Sequence, residues 1–145
     1  MKESPDELDA LQRLLDDSIA SAGGHLRKII TVNSAGEPRT SCVDGHFLHG
    51  TWIFGTAATA RKARHLRARP ALSVTYADGE KMALFAHGRA EYIAESDTGF
   101  QPLDEHYIAH YGSSPRDWGP APVFIRLHPH WMVAYAMDAA TFPAG

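Results

Sequence analysis

The feature that most constrains the fold of this chain is a succession of strand-like runs joined by short turns. Runs of alternating or β-branched residues recur from residue 25 to residue 137, and turn sequences rich in Gly, Pro and Asp separate them. Short connections between successive strands favour antiparallel pairing, and closure into a barrel removes exposed sheet edges. We therefore expect a mainly β (α+β) fold, a small antiparallel β-barrel of about six to seven strands with flanking helices. The predicted strands are 25–33, 39–50, 51–56, 71–76, 81–93 and two closing strands within 122–137 that are broken at Pro129.

Three helices are predicted around this sheet. A capping-box sequence at Ser4 precedes leucines at helical spacing, and an Ala- and Arg-rich segment is stopped by Pro70. Gly88, inside the longest strand, predicts a bulge, a bend or a close backbone approach. The expected organisation is a single domain over 1–145, with an N-terminal helix at 1–24, a barrel core at 25–93 that includes a helix at 60–69, a surface helix at 101–111 and closing strands at 122–137.

Bulk properties exclude several classes of protein. The formal net charge is −3, which argues against general nucleic-acid binding because that requires a broad basic surface. No uninterrupted apolar run is long enough to span a membrane, and the acidic N-terminus does not resemble a signal peptide. The single cysteine, Cys42, fits a reducing compartment and is interpreted as a small buried hydrophobic residue. We expect a cytoplasmic protein with no nucleic-acid or membrane partner.

One short segment concentrates positive charge. Five of the fourteen Lys and Arg residues fall within the nine residues from Arg61 to Arg69. Arg61 and Lys62 would lie in the first turn of the predicted helix, where each opposes the helix dipole by roughly 0.3–1 kcal/mol. A bound phosphate reverses the sign of this effect, because first-turn N–H groups and cationic side chains both stabilise an anion. Thr56 and Thr59 add hydroxyls at the same turn, so the residues favour either a phosphate site or a solvated basic helix.

The same segment carries a resemblance to a known family. Its pattern is similar to that of the pyridoxamine-phosphate-oxidase-like split β-barrel family of flavin and deazaflavin proteins. In that family a strand ends in Thr, and a Ser/Thr-rich turn, a Lys, a Leu and a Pro follow before the next strands. The corresponding residues are Thr56, Thr59, Lys62, Leu66, Pro70, Leu72 to Tyr76, and Gly88-Arg89-Ala90, within roughly residues 25 to 93.

This resemblance implies a homodimer with cofactor sites at the subunit interface and a small-molecule substrate. It implies that Arg61 and Lys62 hold the cofactor phosphate, with Thr56 and Thr59 beside them. The ring is expected against the strand from Arg39 to Val43, and His65 faces the phosphate side of the helix. The full set of expected cofactor-binding residues is Arg39, Thr40, Ser41, Cys42, Val43, Phe54, Gly55, Thr56, Thr59, Arg61, Lys62 and His65.

Two cofactors fit the pattern. The adjacent Arg61-Lys62 pair resembles the FMN-dependent branch, whereas the run of Lys62, Arg64 and Arg67 resembles the F420-dependent branch, which we favour. The resemblance implies hydride transfer to or from a small organic molecule, and no catalytic side chain is identified. True pyridoxamine-phosphate oxidase activity is not expected, because Arg126-Leu127-His128 precedes Pro129 and does not occupy the position of the family's Arg-x-His element.

Histidines and tryptophans offer weaker signals. His106 and His110 are four residues apart on one helix face, but the Glu of a zinc motif is absent and we expect no metal site. His128 and His130 could line the barrel mouth or ligate haem, and an ordinary surface turn is the simpler interpretation. We expect Trp118 or Trp131 to line a pocket or a dimer contact. The alternative function is a non-catalytic flavin or haem/tetrapyrrole-binding protein on the same barrel.

Overall fold

The computed structural model describes residues 27–32, 36–78 and 80–138, and the predicted N-terminal helix at 1–24 lies outside them. Seven strands and two α-helices are present in this part of the chain. In chain order they are β1 Arg27–Val32, β2 Pro38–Val43, β3 Gly45–Leu48, β4 Thr51–Ala57, α1 Arg61–Ala68, β5 Ala71–Asp78, β6 Met82–Ala94, α2 Phe100–Tyr111 and β7 Pro122–Ala136, with a 3-10 turn at Pro115–Asp117 before β7.

All seven strands form one antiparallel sheet in the order β2-β1-β5-β6-β7-β4-β3. The two edge strands, β2 and β3, are separated along the chain by the single residue Asp44. One residue spans less than 4 Å, roughly, so the two edges of the sheet must meet at this point. The sheet therefore curls into a split barrel, which confirms the predicted fold class.

The strand count is as predicted, but two strand boundaries differ from the prediction. The run 39–50 was predicted as one strand, and the chain instead bends at Asp44, where it stops pairing with β1 and starts pairing with β4. The predicted break at Pro129 is wrong, because β7 continues through it to Ala136. Proline has no N–H to donate to a neighbouring strand. Pro129 is tolerated in β7 because the pairing of β7 with β4 ends at Leu127, so β4 offers no acceptor at this position.

Gly88 lies at a bulge, as its position in the sequence predicts. His87 pairs with Trp131 and Gly88 pairs with Pro129, so His130 is the additional residue on β7. A Cβ atom at residue 88 would overlap the carbonyl oxygen of His128. A side chain is therefore excluded at this position by the close approach of the two backbones.

Two apolar clusters stabilise the fold. The main cluster fills the barrel and includes Trp52, Phe54 and Leu127, each no more than 1% exposed. Helix α1 closes this cluster through Ala63 and Leu66, three residues apart on one helix face. The second cluster lies on the outer surface of the sheet, where α2 packs its own apolar residues against β4, β6 and β7. Its members are Ile53, Ile93, Phe100, Leu103, Tyr107 and Phe124.

Helix α2 has the predicted extent and ends as predicted. Gly112 adopts the left-handed conformation at φ 72° and its N–H donates to the carbonyl of Ile108, which terminates the helix. No helix in the described ranges is long and apolar enough to cross a membrane.

Candidate cofactor site

The candidate site is built around the start of α1, where β4 leads directly into the helix. The chain leaves β4 at Ala57, and the amide of Ala60 donates to the Ala57 carbonyl at 3.0 Å. Ala60 occupies the N-cap position and provides no side-chain hydrogen bond, and no acidic residue lies in the first turn. The positive end of the helix is therefore left without a side-chain acceptor, which is the arrangement that an anion can complete.

Two cationic side chains lie at this same helix end. Arg61 is exposed and Lys62 is half-buried. Neither forms an ion pair with any residue in the described ranges. Ala63 and Leu66 are 0% and 3% exposed, so the helix is fixed to the barrel core while its cations remain outside. The site therefore has the donors and charges that a phosphate group requires.

The predicted cofactor-binding residues just before α1 differ in how accessible they are to a ligand. Thr56 is half-buried at the end of β4, and Thr59 is exposed in the turn, so both hydroxyls lie next to the helix start. Gly55 is half-buried, and a Cβ there would meet Pro115, Trp118 and Phe124. The ring of Phe54 is only 1% exposed and belongs to the barrel core, so its side chain is not available to a ligand.

The predicted ring-binding strand is an exposed edge strand. Arg39, Thr40 and Cys42 are exposed, Ser41 is half-buried and Val43 is buried. The expectation that Cys42 is a buried hydrophobic residue is wrong, because it lies on the outward side of β2. Arg39 also forms an exposed ion pair with Glu37 at 2.8 Å. Strand β1 separates β2 from β5, and α1 packs against β1 and β6, so the structure does not place β2 directly beside the helix within one chain.

The C-terminal half of α1 has a packing role as well as charge. The guanidinium of Arg67 lies 5.6 Å from the centre of the Tyr92 ring, a cation–π distance. Burial raises the pKa of the Tyr92 hydroxyl, and the charge of Arg67 opposes this shift. His65 is half-buried and lies one turn after Arg61, on the same helix as the two predicted phosphate-binding residues, Arg61 and Lys62.

Comparison with known proteins identifies the family of this chain. Residues 27–135 match the model of the pyridoxamine 5'-phosphate oxidase family. The chain belongs to that family. Because the match covers every described strand except the end of β7, the family assignment applies to the whole split barrel.

Solved structures share the fold at low sequence identity. The haem storage protein HutZ from Vibrio cholerae has a TM-score of 0.69 at 16% identity, over 84% of this chain and 94% of that chain. An FMN-binding protein from Nostoc punctiforme, related to pyridoxamine 5'-phosphate oxidase, has a TM-score of 0.67 at 16% identity, over 89% and 83% of the two chains. An F420 reductase has a TM-score of 0.60 at 18% identity, over 75% and 89%. No curated protein matches the chain by sequence.

A histidine cluster that the sequence did not predict connects β3 to α2. His46 is 7% exposed, its Nε2 lies 2.8 Å from the Tyr111 hydroxyl, and its Nδ1 lies 3.0 Å from Nε2 of His106. The ring of His110 packs edge-on against His46 at 4.6 Å. The spacing of His106 and His110 was visible in the sequence, but His46 is sixty residues away and gave no signal. Within the described residues no group of three or more His, Cys, Asp or Glu is arranged to hold a metal ion.

The two tryptophans singled out by sequence lie in different environments. Trp118 packs against the rings of Tyr107 and Tyr111, both at 5.9 Å, and its Nε1 donates to the Ser113 hydroxyl at 3.0 Å. Trp131 is 47% exposed and stacks on His87 at 4.7 Å. Trp131 is thus presented on the outer surface of the sheet.

Proposed function

We propose that the protein is a flavin-type oxidoreductase that transfers a hydride between coenzyme F420, or FMN, and a small organic substrate. The observation that carries this proposal is the start of α1, where an uncapped helix end without acidic residues carries Arg61 and Lys62. Membership of the pyridoxamine 5'-phosphate oxidase family supports a flavin-type cofactor at such a site. Neighbours of the same fold include an FMN-binding protein and an F420 reductase.

The chain's own contribution is to hold and orient the cofactor phosphate. Each charge-assisted hydrogen bond from the helix end or from a cation stabilises a bound anion by roughly 1.5–3 kcal/mol. Lys62 is half-buried, so it loses less conformational freedom on binding than a fully exposed lysine would. Thr56 and Thr59 precede the helix, and in this proposal their hydroxyls add further donors to the phosphate. When bound, the flavin or deazaflavin ring supplies the hydride chemistry, so this proposal requires no catalytic side chain.

We propose further that the protein is a cytoplasmic homodimer with the cofactor between subunits. Support comes from exposed apolar side chains on the outer surface of β6 and β7, which monomeric proteins seldom present together. Phe85 pairs with Val133 and Ala83 pairs with Tyr135, so these side chains form a continuous stripe across the two strands. The stripe consists of Phe85, Trp131, Val133, Tyr135 and Met137, which are 37–69% exposed.

A second function has specific support. The structural similarity to HutZ, a haem storage protein, extends over most of both chains. The alternative is therefore a protein that binds a flavin or a tetrapyrrole without turning it over. The two functions differ in turnover and not in fold.

Native mass spectrometry of the purified protein, followed by titration with F420 and FMN, tests the proposal. We expect one phosphate-bearing cofactor per chain in a dimer, and reduced F420 or FMNH₂ should be reoxidised when an acceptor is added. The variant Lys62→Ala should weaken cofactor binding by at least about tenfold, which corresponds to one charge-assisted contact. Arg69→Ala, at the opposite end of the same helix and exposed, is the matched control and should change affinity little.

The possible outcomes separate the two functions. Tight cofactor binding with no turnover for any acceptor would support storage or sensing instead of catalysis. Equal affinities of the Lys62→Ala and wild-type proteins would refute the assigned phosphate site. A monomer that retains full cofactor affinity would refute a site between subunits.

A further inference from the structure

A cavity lies at the beginning of β4, away from the start of α1. Its volume is about 420 Å³, and it is formed by the β3–β4 hairpin, the first turn of α2 and the middle of β7. Strand β4 extends for roughly 20 Å between Thr51, which lines this cavity, and Ala57, which leads to α1. The cavity and the candidate cofactor site therefore lie at opposite ends of the same strand. A volume of this size is within the range, roughly 300–1,000 Å³, of small-molecule sites.

The floor of the cavity is apolar. Ile53 and Leu103 are 2% and 6% exposed, and both belong to the outer cluster that packs α2 on the sheet. Leu48 lines the cavity from the hairpin. The hydroxyl of Thr51 already donates to the Leu48 carbonyl at 2.9 Å, so it shapes the wall but does not offer its hydrogen to a ligand. The floor therefore suits an uncharged, apolar part of a ligand.

The cationic wall of the cavity is Arg126. Its side chain is 27% exposed, and it contacts Glu91 once, from Nη1 to Oε2 at 3.4 Å. That separation is at the outer limit of a hydrogen bond, and a guanidinium carries five N–H donors. Within the described ranges the guanidinium forms no other ion pair or hydrogen bond with a side chain. Most of its donors are therefore available to a ligand.

Glu91 sets the charge that a ligand must have. His128 lines the cavity beside Arg126, and its Nε2 donates to Oε2 of Glu91 at 2.7 Å. This hydrogen bond, assisted by the charge of Arg126, holds the pKa of the Glu91 carboxyl below its usual range. Glu91 is therefore a carboxylate at neutral pH, and its negative charge opposes a dianion such as a phosphate monoester. A single negative charge that pairs with Arg126 meets less repulsion.

We infer that this cavity binds a small monocarboxylate with an apolar body, at a site separate from the cofactor. The carboxylate pairs with the Arg126 guanidinium through two parallel N–H···O bonds, a geometry that arginine favours and lysine does not provide. The apolar body lies on Ile53, Leu103 and Leu48. Glu91 contacts Arg126 at 3.4 Å and therefore competes with the ligand for it.

Benzoate is a suitable probe, and its binding can be located by NMR. We expect millimolar benzoate to shift the backbone amide resonances of Thr51, Leu103 and Arg126 in ¹⁵N-labelled protein. Benzyl alcohol and benzylammonium have the same ring and a similar size but no negative charge, and they should produce no comparable shifts. This comparison uses the wild-type protein, so it does not depend on the folding of any variant.

Substitutions then test whether Arg126 is the group that binds the carboxylate of benzoate. Arg126→Gln should weaken benzoate binding by at least about tenfold, the effect of one charge-assisted pair. Arg126→Lys should bind with intermediate affinity because it keeps the charge and loses the planar fork. Glu91→Gln should bind benzoate more tightly than the wild type, since the competing carboxylate is removed. Arg89→Gln, an exposed cation on the neighbouring strand that does not line the cavity, is the matched control.

Three results would overturn the inference. The first is benzoate and benzyl alcohol shifting the same amides equally, which would show that the anion is not recognised. The second is Arg126→Gln binding benzoate as well as the wild type does. The third is displacement of benzoate from these amides by saturating FMN or F420, which would show that the two sites are one.

Discussion

The two helices make contrasting use of their polar side chains. Polar groups of α2 bond to the rest of the protein: Tyr107 reaches the carbonyls of Asp44 and Ile53, and Asp104 binds Arg116 and the Ser114 hydroxyl. On α1, by contrast, Arg61 and Lys62 form no ion pair within the described residues. Both helices are fixed by buried apolar residues, so the difference concerns polar groups alone. It indicates that the polar residues of α2 stabilise the fold, whereas Arg61 and Lys62 of α1 remain available for a ligand.

The largest expected effect tests the α2 side of this comparison. Tyr107 is 0% exposed, and its hydroxyl lies 2.9 Å from the Asp44 carbonyl and 3.2 Å from the Ile53 carbonyl. We expect Tyr107→Ala to lower the free energy of unfolding by about 4 kcal/mol, as for other buried aromatic residues, and Tyr107→Phe by about 1 kcal/mol. Denaturant unfolding measures both. Ile108→Ala, on the exposed side of the same helix, should change stability little, and an equal loss there would contradict the packing described.

Asp104 gives the next largest effect. Its side chain is 2% exposed, it accepts the Ser114 hydroxyl at 2.5 Å, and it pairs with Arg116. We expect Asp104→Ala to cost about 2 kcal/mol, less than a fully buried pair would, because Arg116 is partly exposed and keeps its contact with Glu95. Thermal unfolding provides the measurement. If Glu105→Ala, on the exposed side of the helix, destabilises the protein as much, burial of the Asp104 contact is not the cause.

For the cations of α1 we expect substitution to raise the stability of the protein instead of lowering it. Because Arg61 and Lys62 oppose the helix dipole, Arg61→Gln combined with Lys62→Gln should raise the stability of the cofactor-free protein by about 0.5–1 kcal/mol at low ionic strength. The same double variant should bind the cofactor more weakly. Thermal unfolding at low and high salt measures the gain, which should shrink as salt increases. Loss of stability in the double variant would show that these cations stabilise the fold, and the contrast between the helices would fail.

The smallest effect concerns an exposed polar contact beside α2. The folded-state pKa of Glu91 is lowered, chiefly by its hydrogen bond with His128, so its contribution to stability is present above the ordinary value of 4.5 and is lost as the pH falls through the folded-state pKa. The Glu91 side chain is 44% exposed, and we expect Glu91→Gln to cost no more than about 0.5 kcal/mol at neutral pH. Unfolding curves of the two proteins from pH 7 to pH 3 should converge below pH 4.5. A difference that persists unchanged at pH 3 would exclude Glu91 ionisation as its source.

The sequence predicted those parts of the fold that have local causes. Helix α1 follows from its Ala- and Arg-rich composition and Pro70, the end of α2 from Gly112, and the bulge from Gly88. The bend at Asp44 and the continuity of β7 through Pro129 depend on which strands lie alongside, and a linear pattern does not contain that information. The charge cluster of the candidate cofactor site is local and was visible in the sequence. His46 and the cavity beside Arg126 bring together residues that are distant along the chain.

Asp44 has a consequence for the mechanics of the barrel. A single residue, Asp44, joins the two edge strands, and its carbonyl accepts a hydrogen bond from the Tyr107 hydroxyl. A change in the register of β2 against β1 would also have to move β3 against β4, because only Asp44 separates β2 from β3. The strand register at one edge of the sheet is therefore coupled to the register at the other edge. Helix α2 therefore stabilises the point where the two sheet edges meet, through the hydrogen bond of Tyr107.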